Sequence, residues 1–437
     1  MKNKVRALPL GIVFLLAAAR PAFADAGTIN AADTAWMIAA TGLVLMMTIP
    51  GLALFYAGLV RKKNILATMA QSLGSVAIVS LLWAGAGYSL AFSGGNGWLG
   101  SLDRILLAGI GMDSTNELAK NIPEALFMLY QMTFAVITVA LIAGSVADRM
   151  KFSAFLLFGV GWLFLVYVPV AHWVWGGGFL GGMGMLDFAG GTVVHLNAGV
   201  AGLVAAYLLG PRRGYGTENL APHDLSLAVI GTGLLWVGWF GFNGGSALSA
   251  SPRAVMAIAS THFAACAGAC VWMALEWWSR GKPSVLGMIS GAVAGLGTIT
   301  PASGYILPWH GVVIGILAGL LCFWACTVLK ERLRYDDSLD VFGIHGLGGA
   351  LGTMLAGVFA TAAISVTADA PNGLPGALEG NWDQLRVQAI GIAVTAVWCG
   401  AISWILLKLI DAMVGLRVGL DEERMGLDVT LHGEAIQ

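Results

Sequence analysis

Charge is what this sequence has least of. Only 11% of its 437 residues are Asp, Glu, Lys or Arg, where a soluble domain carries about a quarter, and that excludes an ordinary water-soluble enzyme. The 23 basic and 24 acidic side chains cancel to a formal charge of −1 and form no basic face or run, so no nucleic acid partner is expected. Cysteine is scarce and odd in number. Cys266, Cys270, Cys322, Cys326 and Cys399 all fall in apolar stretches, which excludes a complete disulfide set and predicts small buried thiols. Also missing are the G-x-x-x-x-G-K-[ST] phosphate loop, the H-E-x-x-H zinc signature and the G-x-S-x-G elbow. Energy from nucleotide hydrolysis is therefore not expected within this chain.

What is present is apolar: 58% of the residues are hydrophobic and 61 of the 437 are glycine, a share roughly twice the usual one. Lipid gives helices no hydrophobic reason to associate, so small residues that let backbones approach closely are what a bundle of membrane helices needs. The composition predicts an all-α polytopic membrane protein.

Lys2, Lys4 and Arg6 precede an apolar run from Ala7 to Ala19, and Ala22-Phe23-Ala24 follows. At 1.5 Å per residue that run reaches only about 20 Å, short of a hydrocarbon core of about 30 Å. Residues 1–24 therefore read as a bacterial signal peptide cleaved after Ala24, leaving a mature chain that starts at Asp25 outside the cytoplasm. Runs long enough to cross a bilayer begin near Thr34, Asn64, Ile122, Phe152, Gly191, Asp224, Ala254, Pro283, Trp309, Val341 and Leu385, eleven transmembrane helices in all. Twelve Lys or Arg residues, Arg61, Arg149, Arg212 and Lys330 among them, fall in loops on one side; Arg104, Lys120, Arg253 and Arg386 fall on the other. The positive-inside rule then puts the amino terminus outside and the carboxyl tail in the cytoplasm.

A short pattern repeats. Asp187, His195 and Gly199 read D-x7-H-x3-G, and so do Asp337, His345 and Gly349, 150 residues later. The two copies open the fifth and tenth spans, so they cross in opposite directions, as in an inverted repeat of helices 1–5 and 6–10 followed by a final helix. Such repeats bind substrate near the midplane between their halves.

Ionisable residues inside a membrane mark a pathway by default. His195, His262 and His345 lie well inside predicted spans. The matched context of His195 and His345 favours a facing pair that lines a polar track through an apolar lumen, over two unrelated histidines each satisfied by a carbonyl. His262, Cys266 and Cys270 share one helical face as H-x3-C-x3-C, but no fourth ligand stands out and no metal is expected there. Aromatic residues gather beside glycines in the stretches His172 to Gly178 and Gly238 to Asn243. Rings flanking a cavity attract a small cation by roughly 0.5 to 2 kcal/mol, whereas the competing reading is a lipid-facing belt. Asp187 reads as the cap of the helix that follows it; Asp148, Arg149, Lys151, Lys330, Glu331 and Arg332 read as solvated loop ends.

The segments Asp187 to Asn197, Gly238 to Ser246, Asp340 to Gly346, and Gly426-Leu427-Asp428 with His432-Gly433-Glu434 resemble the Amt/Mep/Rh ammonium transporter family, and closely its bacterial branch. The likeness runs from the first span to the tail. It implies the ammonium transporter fold, no catalysed reaction and no cofactor. It further implies an outer ammonium site at Trp175, Ser246 and Tyr130, a gate of stacked rings at Phe134 and Phe242, and a pore lined by His195, His345 and Trp239, with Asp187 as structural support. Membrane domain and tail divide as 25–416 and 417–437. The family implies a homotrimer in the bacterial inner membrane, taking up nitrogen as ammonium, with a PII-type signal protein received by the tail. Tyr130 stands where bacterial members usually have phenylalanine, and His262, His310 and the neighbouring cysteines are outside the family pattern. An ammonium receptor, a carbon dioxide channel and a membrane enzyme at His262, Cys266 and Cys270 are the other readings. A short tail speaks against the first, an intact cation cage against the second, and the missing fourth ligand against the third. Electrogenic uptake is expected by analogy.

Overall fold

The structure, a computed structural model, describes residues 29–367 and 370–436. The signal peptide at 1–24 and its cleavage after Ala24 lie outside the described residues. Among the described residues, ten helices are long and apolar enough to cross a bilayer, and a shorter one stands among them. In chain order these are α1 (Ala31–Leu59), α2 (Lys62–Phe92), α3 (Glu124–Val146), α4 (Phe152–Gly182), α5 (Gly191–Leu209), α6 (Leu225–Gly245), α7 (Pro252–Arg280), α8 (Val285–Ile299), α9 (Pro308–Leu333), α10 (Phe342–Phe359) and α11 (Asp383–Val414). Each starts within three residues of the position expected from sequence. With 15 residues, α8 reaches about 22 Å, less than the hydrocarbon thickness.

The helices begin where the chain supplies acceptors for orphan N–H groups or a proline that has none to satisfy. Asn30 caps α1, Asp224 caps α6 and Ser284 caps α8 with their side chains, and Pro252 and Pro308 open α7 and α9. At the centre α5 and α10 cross in close contact. A Cβ on Gly199 would run into the backbone of Gly346, and a Cβ on Gly349 would lie 2.9 Å from Cβ of His195. Each glycine of the repeated motif is thus the contact point on the other copy, four residues past its own histidine. The two helices start at opposite ends of the bundle, α5 beside Trp175 and α10 beside the carboxyl-terminal segment.

That segment folds back on the bundle. Its short helix α12 (Leu420–Met425) and the turn after it are held by the start of α2: Leu427 N–H donates to Asn64 Oδ1 (2.8 Å), and Ala67 N–H donates to Asp428 Oδ1 (2.8 Å). Lys63 Nζ donates to the carbonyls of Glu423 (3.0 Å) and Arg424 (2.6 Å).

Two expectations about exposure need correction. The loop ends Asp148 and Arg149 are buried rather than solvated. Arg149 donates to Ser338 Oγ (2.6 Å) and to the Asp336 carbonyl (2.5 Å), and Arg61 Nε donates to Asp148 Oδ2 at 2.9 Å. These side chains tie separate loops together at the tail end. Burial pushes the Arg149 guanidinium down to about 10, against the pull of Asp336. Of the five cysteines only Cys322 and Cys399 are buried, while Cys270 is exposed and Cys266 and Cys326 are half-buried. The His262 face of α7 points out of the bundle. A helix apolar on every side carries no stripe to tell which face turns inward.

Candidate functional site

Three cavities follow one another through the bundle. The first, about 260 Å³, opens at the Trp175 end and is walled by Phe127, Gln131, Phe134, Trp175, Phe188 and Ser246, among others. The second lies deeper and holds only about 10 Å³, room for about one water-sized molecule. Phe242, Trp239, His195 and His345 line it together with aliphatic side chains. The third, about 320 Å³, opens at the tail end between Arg212, Glu276, Lys330 and Asp340, and shares Phe55 with the second.

Phe134 on α3 and Phe242 on α6 separate the first two cavities, their ring centroids 4.2 Å apart with planes inclined by 35°. Trp175 meets Phe134 edge-on at 5.7 Å. It is fixed there because its Nε1 donates to the Asp187 carbonyl (2.7 Å). The Asp187 carboxylate accepts from the N–H groups of Gly190 (2.8 Å), Gly191 (2.6 Å), Thr192 (2.8 Å) and Val193 (3.3 Å) and from the Thr192 hydroxyl. Such a set of donors caps α5 and compensates a buried negative charge. One residue therefore fixes both the helix that carries His195 and the indole above the ring pair.

Ser246 sits in the wall of the first cavity, its hydroxyl donating back to the Phe242 carbonyl at 2.8 Å. That leaves its oxygen lone pairs to accept. Tyr130 is placed differently from the other outer residues. Its ring packs on Phe134 at 5.0 Å, and its buried hydroxyl lies 3.0 and 2.8 Å from the carbonyls of Gly241 and Phe242 and 3.3 Å from Ser246 Oγ. It anchors the turn that carries Ser246, and the cavity wall beside it is formed by other residues.

Below the rings, His195 and His345 stack with centroids 5.2 Å apart and planes 17° from parallel. Their Nδ1 atoms face each other at 3.2 Å. One carries the hydrogen and donates while the other accepts, so the pair holds a single shared hydrogen at that contact. The His195 ring also stacks on Trp239 (5.6 Å) and reaches Phe242 (6.1 Å). Trp239 is oriented by donating from Nε1 to Thr300 Oγ1 at 2.9 Å. His195 Nε2 is buried without a partner.

Sequence reading missed Phe127, Gln131 and Phe188 in the first cavity. The first two fall two turns and one turn before Phe134, respectively, on the same face of α3, a spacing that points to them once Phe134 is placed. His172, expected only at a span's end, is buried, with Nδ1 2.9 Å from the Ala91 carbonyl and Nε2 2.7 Å from that of Asn96. His262 lies against Trp236 and Cys266 on the outward face. No group of three His, Cys, Asp or Glu that could hold a metal ion occurs among the described residues.

The family model described as the Ammonium Transporter Family matches residues 35–436. An ammonium transporter of Bacillus subtilis (strain 168) is 47% identical over 402 residues, covering 92% of this chain and 97% of its own. One from Aquifex aeolicus (strain VF5) is 45% identical over 414 residues, 94% of this chain and 95% of its own. Among solved structures, the crystal structure of Saccharomyces cerevisiae Mep2 superposes with a TM-score of 0.84 at 37% identity, over 90% of this chain and 89% of that one. A sensor Amt protein superposes with a TM-score of 0.82 at 28% identity, over 92% and 98%.

Proposed function

The chain belongs to the ammonium transporter family, and from that premise we propose how this membrane protein transports ammonium. The observation that carries the reading is the vertical order of the site: an aromatic vestibule, a closed pair of phenyl rings, then two facing imidazoles in a lumen about one molecule wide. Ammonium enters at the Trp175 end, which faces outward, and binds against Trp175, with Ser246 Oγ as acceptor and Tyr130 holding that serine in place. Ammonium and potassium have similar size and equal charge, so a sieve does not separate them. Ammonium donates hydrogen bonds and can lose a proton; potassium does neither. A bare cation in the apolar lumen is costly, so the ion gives up a proton before Phe134 and Phe242 part, and ammonia passes along His195, His345 and Trp239. The hydrogen shared by the two Nδ1 atoms gives a separate route for the proton, which makes uptake electrogenic.

The mature protein starts after Ala24, assembles as a homotrimer in the bacterial inner membrane, and keeps its carboxyl tail in the cytoplasm. Residues 417–437 receive a PII-type signal protein there. The measurement that tests the transport reading is current on a solid-supported membrane, with the protein in liposomes given an ammonium jump and, separately, a potassium jump. A transient current with ammonium alone is expected. Ammonium binding in calorimetry with neither current nor internal pH change would overturn transport in favour of sensing. In the same assay, His195→Asp and His345→Glu should admit potassium or lose ammonium current; unchanged current and selectivity in both leaves the pair a structural role only.

A further inference from the structure

Phe188 forms part of the vestibule wall, and the guanidinium of Arg253 lies over its ring, 4.9 Å from the centroid. The same guanidinium lies 5.0 Å from the centroid of Tyr305, and the two rings meet edge-on at 5.5 Å. Arg253, the second residue of α7, does not itself line the cavity. The Phe188 ring therefore stands between its charge and the space where ammonium is read to bind.

The arrangement is held in place. Arg253 Nε donates to the Gly304 carbonyl (2.7 Å), and a Cβ on Gly304 would run into the Phe188 ring, so both groups pack on the same stretch of backbone. The Phe188 N–H donates to the Pro301 carbonyl three residues earlier in that stretch (3.0 Å). What Arg253 lacks is a counter-charge. Although it is half-buried, no carboxylate lies within 4.0 Å of it among the described residues. The carboxylate of Asp187, next to Phe188 in the chain, is ringed by the donors at the start of α5. Two aromatic faces take the place of an anion.

The guanidinium is thus a fixed positive charge behind an aromatic wall. A ring attracts cations through its quadrupole, and a cation already seated on one face repels a second and draws on the same electron density. Conduction needs a site that binds firmly enough to fill and weakly enough to empty. We propose that Arg253 sets the ammonium affinity of the vestibule, its charge weakening cation binding beside Phe188 so that the ion settles toward Trp175 and Ser246 and leaves readily. The inference rests on the ammonium site of the transport reading.

Ammonium-jump currents from the full-length protein in liposomes test it. Arg253→Gln and Arg253→Met should reach half-saturation at an ammonium concentration about threefold lower than wild type, the effect of one nearby charge at moderate screening. Neither change breaks an ion pair, and methionine keeps an apolar stem on the two rings. Arg253→Lys keeps the charge and a cation–π contact, and its half-saturation should stay near the wild-type value. Half-saturation unchanged or higher in both neutral variants overturns the proposal, whether or not the maximal current falls. So does a lysine variant that shifts as far as the neutral ones, which would trace the effect to the shape of the guanidinium. Calorimetry with ammonium on the same proteins in detergent reads affinity apart from transport, and the dissociation constant should fall by the same factor. Wild-type protein without current, but with that calorimetric difference, would count against the transport reading and leave the role of Arg253 standing. Wild-type current with equal dissociation constants in wild type and both neutral variants sinks the role of Arg253 alone.

Discussion

At the Trp175 end the Asp187 carboxylate gathers four backbone N–H groups and a hydroxyl. At the tail end Asp337, in the same place ahead of His345, receives one backbone N–H, from Phe342 at 2.7 Å, and its Oδ1 is buried without a donor. The histidines differ in the same sense. His195 is wedged between His345, Trp239 and Phe242, whereas His345 has only His195 as a stacked ring partner within the site. The two copies of one motif thus share their backbone work, which is to start a helix abruptly and to cross its partner on glycine. Their electrostatics are assigned by what each copy faces. A short motif can specify the first because capping and close approach are local, and it carries no information on the second.

The shared backbone work predicts the largest effects, and predicts them equal. Gly199→Val places a side chain where the Gly346 backbone lies, and Gly349→Val drives one onto the His195 side chain and the Gly191 carbonyl. Overpacking of a rigid contact costs about 1 to 3 kcal/mol or more, and here neither helix can yield without displacing a histidine. Both variants should fail to give monodisperse protein in gel filtration. If one folds normally and the other does not, the reciprocal crossing is not the common element of the two copies.

Truncating the carboxylates should separate the copies. Asp187→Ala removes the partner of five donors and releases the turn that holds Trp175, for a loss of about 3 kcal/mol or more. Asp337→Ala removes one cap, for about 1 kcal/mol. Thermal unfolding in detergent, with wild type and both variants side by side, checks the order. Equal losses would mean that the additional donors around Asp187 contribute no stability beyond that of a single cap.

Sequence alone placed the spans because a hydrophobic run of sufficient length is a local property; α3 begins at Glu124, two residues from Ile122, and α10 at Phe342, one from Val341. It also paired His195 with His345, since the repeat required matching positions. What it could not give is direction around each helix axis. Cys266, Cys270 and His262 were grouped correctly on one face of α7, yet that face turns outward. Arg149 and Asp148 looked like loop ends because charge in a loop is ordinarily solvated, and only the three-dimensional meeting with Arg61, Asp336 and Ser338 buries them.

The smallest predicted effect falls on two adjacent carboxylates at the tail end whose responses to pH run in opposite directions. Burial would raise the Asp336 carboxyl, but the Arg212 guanidinium, donating from Nε (2.9 Å) and Nη2 (2.7 Å), holds it below the usual carboxylate range. Burial raises Asp337, and Lys330 only partly offsets it. For Asp336 the folded form is the stronger acid, so its stabilisation is present above the unfolded value of about 3.9 and is lost as pH falls through the lower folded value. Asp337 works the other way: the unfolded chain gives up its proton first, so folding loses stability as pH rises from about 3.9 through the higher folded value. Asp337→Asn keeps an oxygen for the Phe342 N–H and removes that penalty. It should raise the melting temperature slightly at neutral pH, with the gain shrinking to nothing below about pH 3.9. Asp336→Asn should show the reverse, a loss at neutral pH that narrows in acid. A stabilising effect of Asp337→Asn that persists at low pH would trace the gain to packing, and the contrast between the two copies would then be one of shape rather than charge.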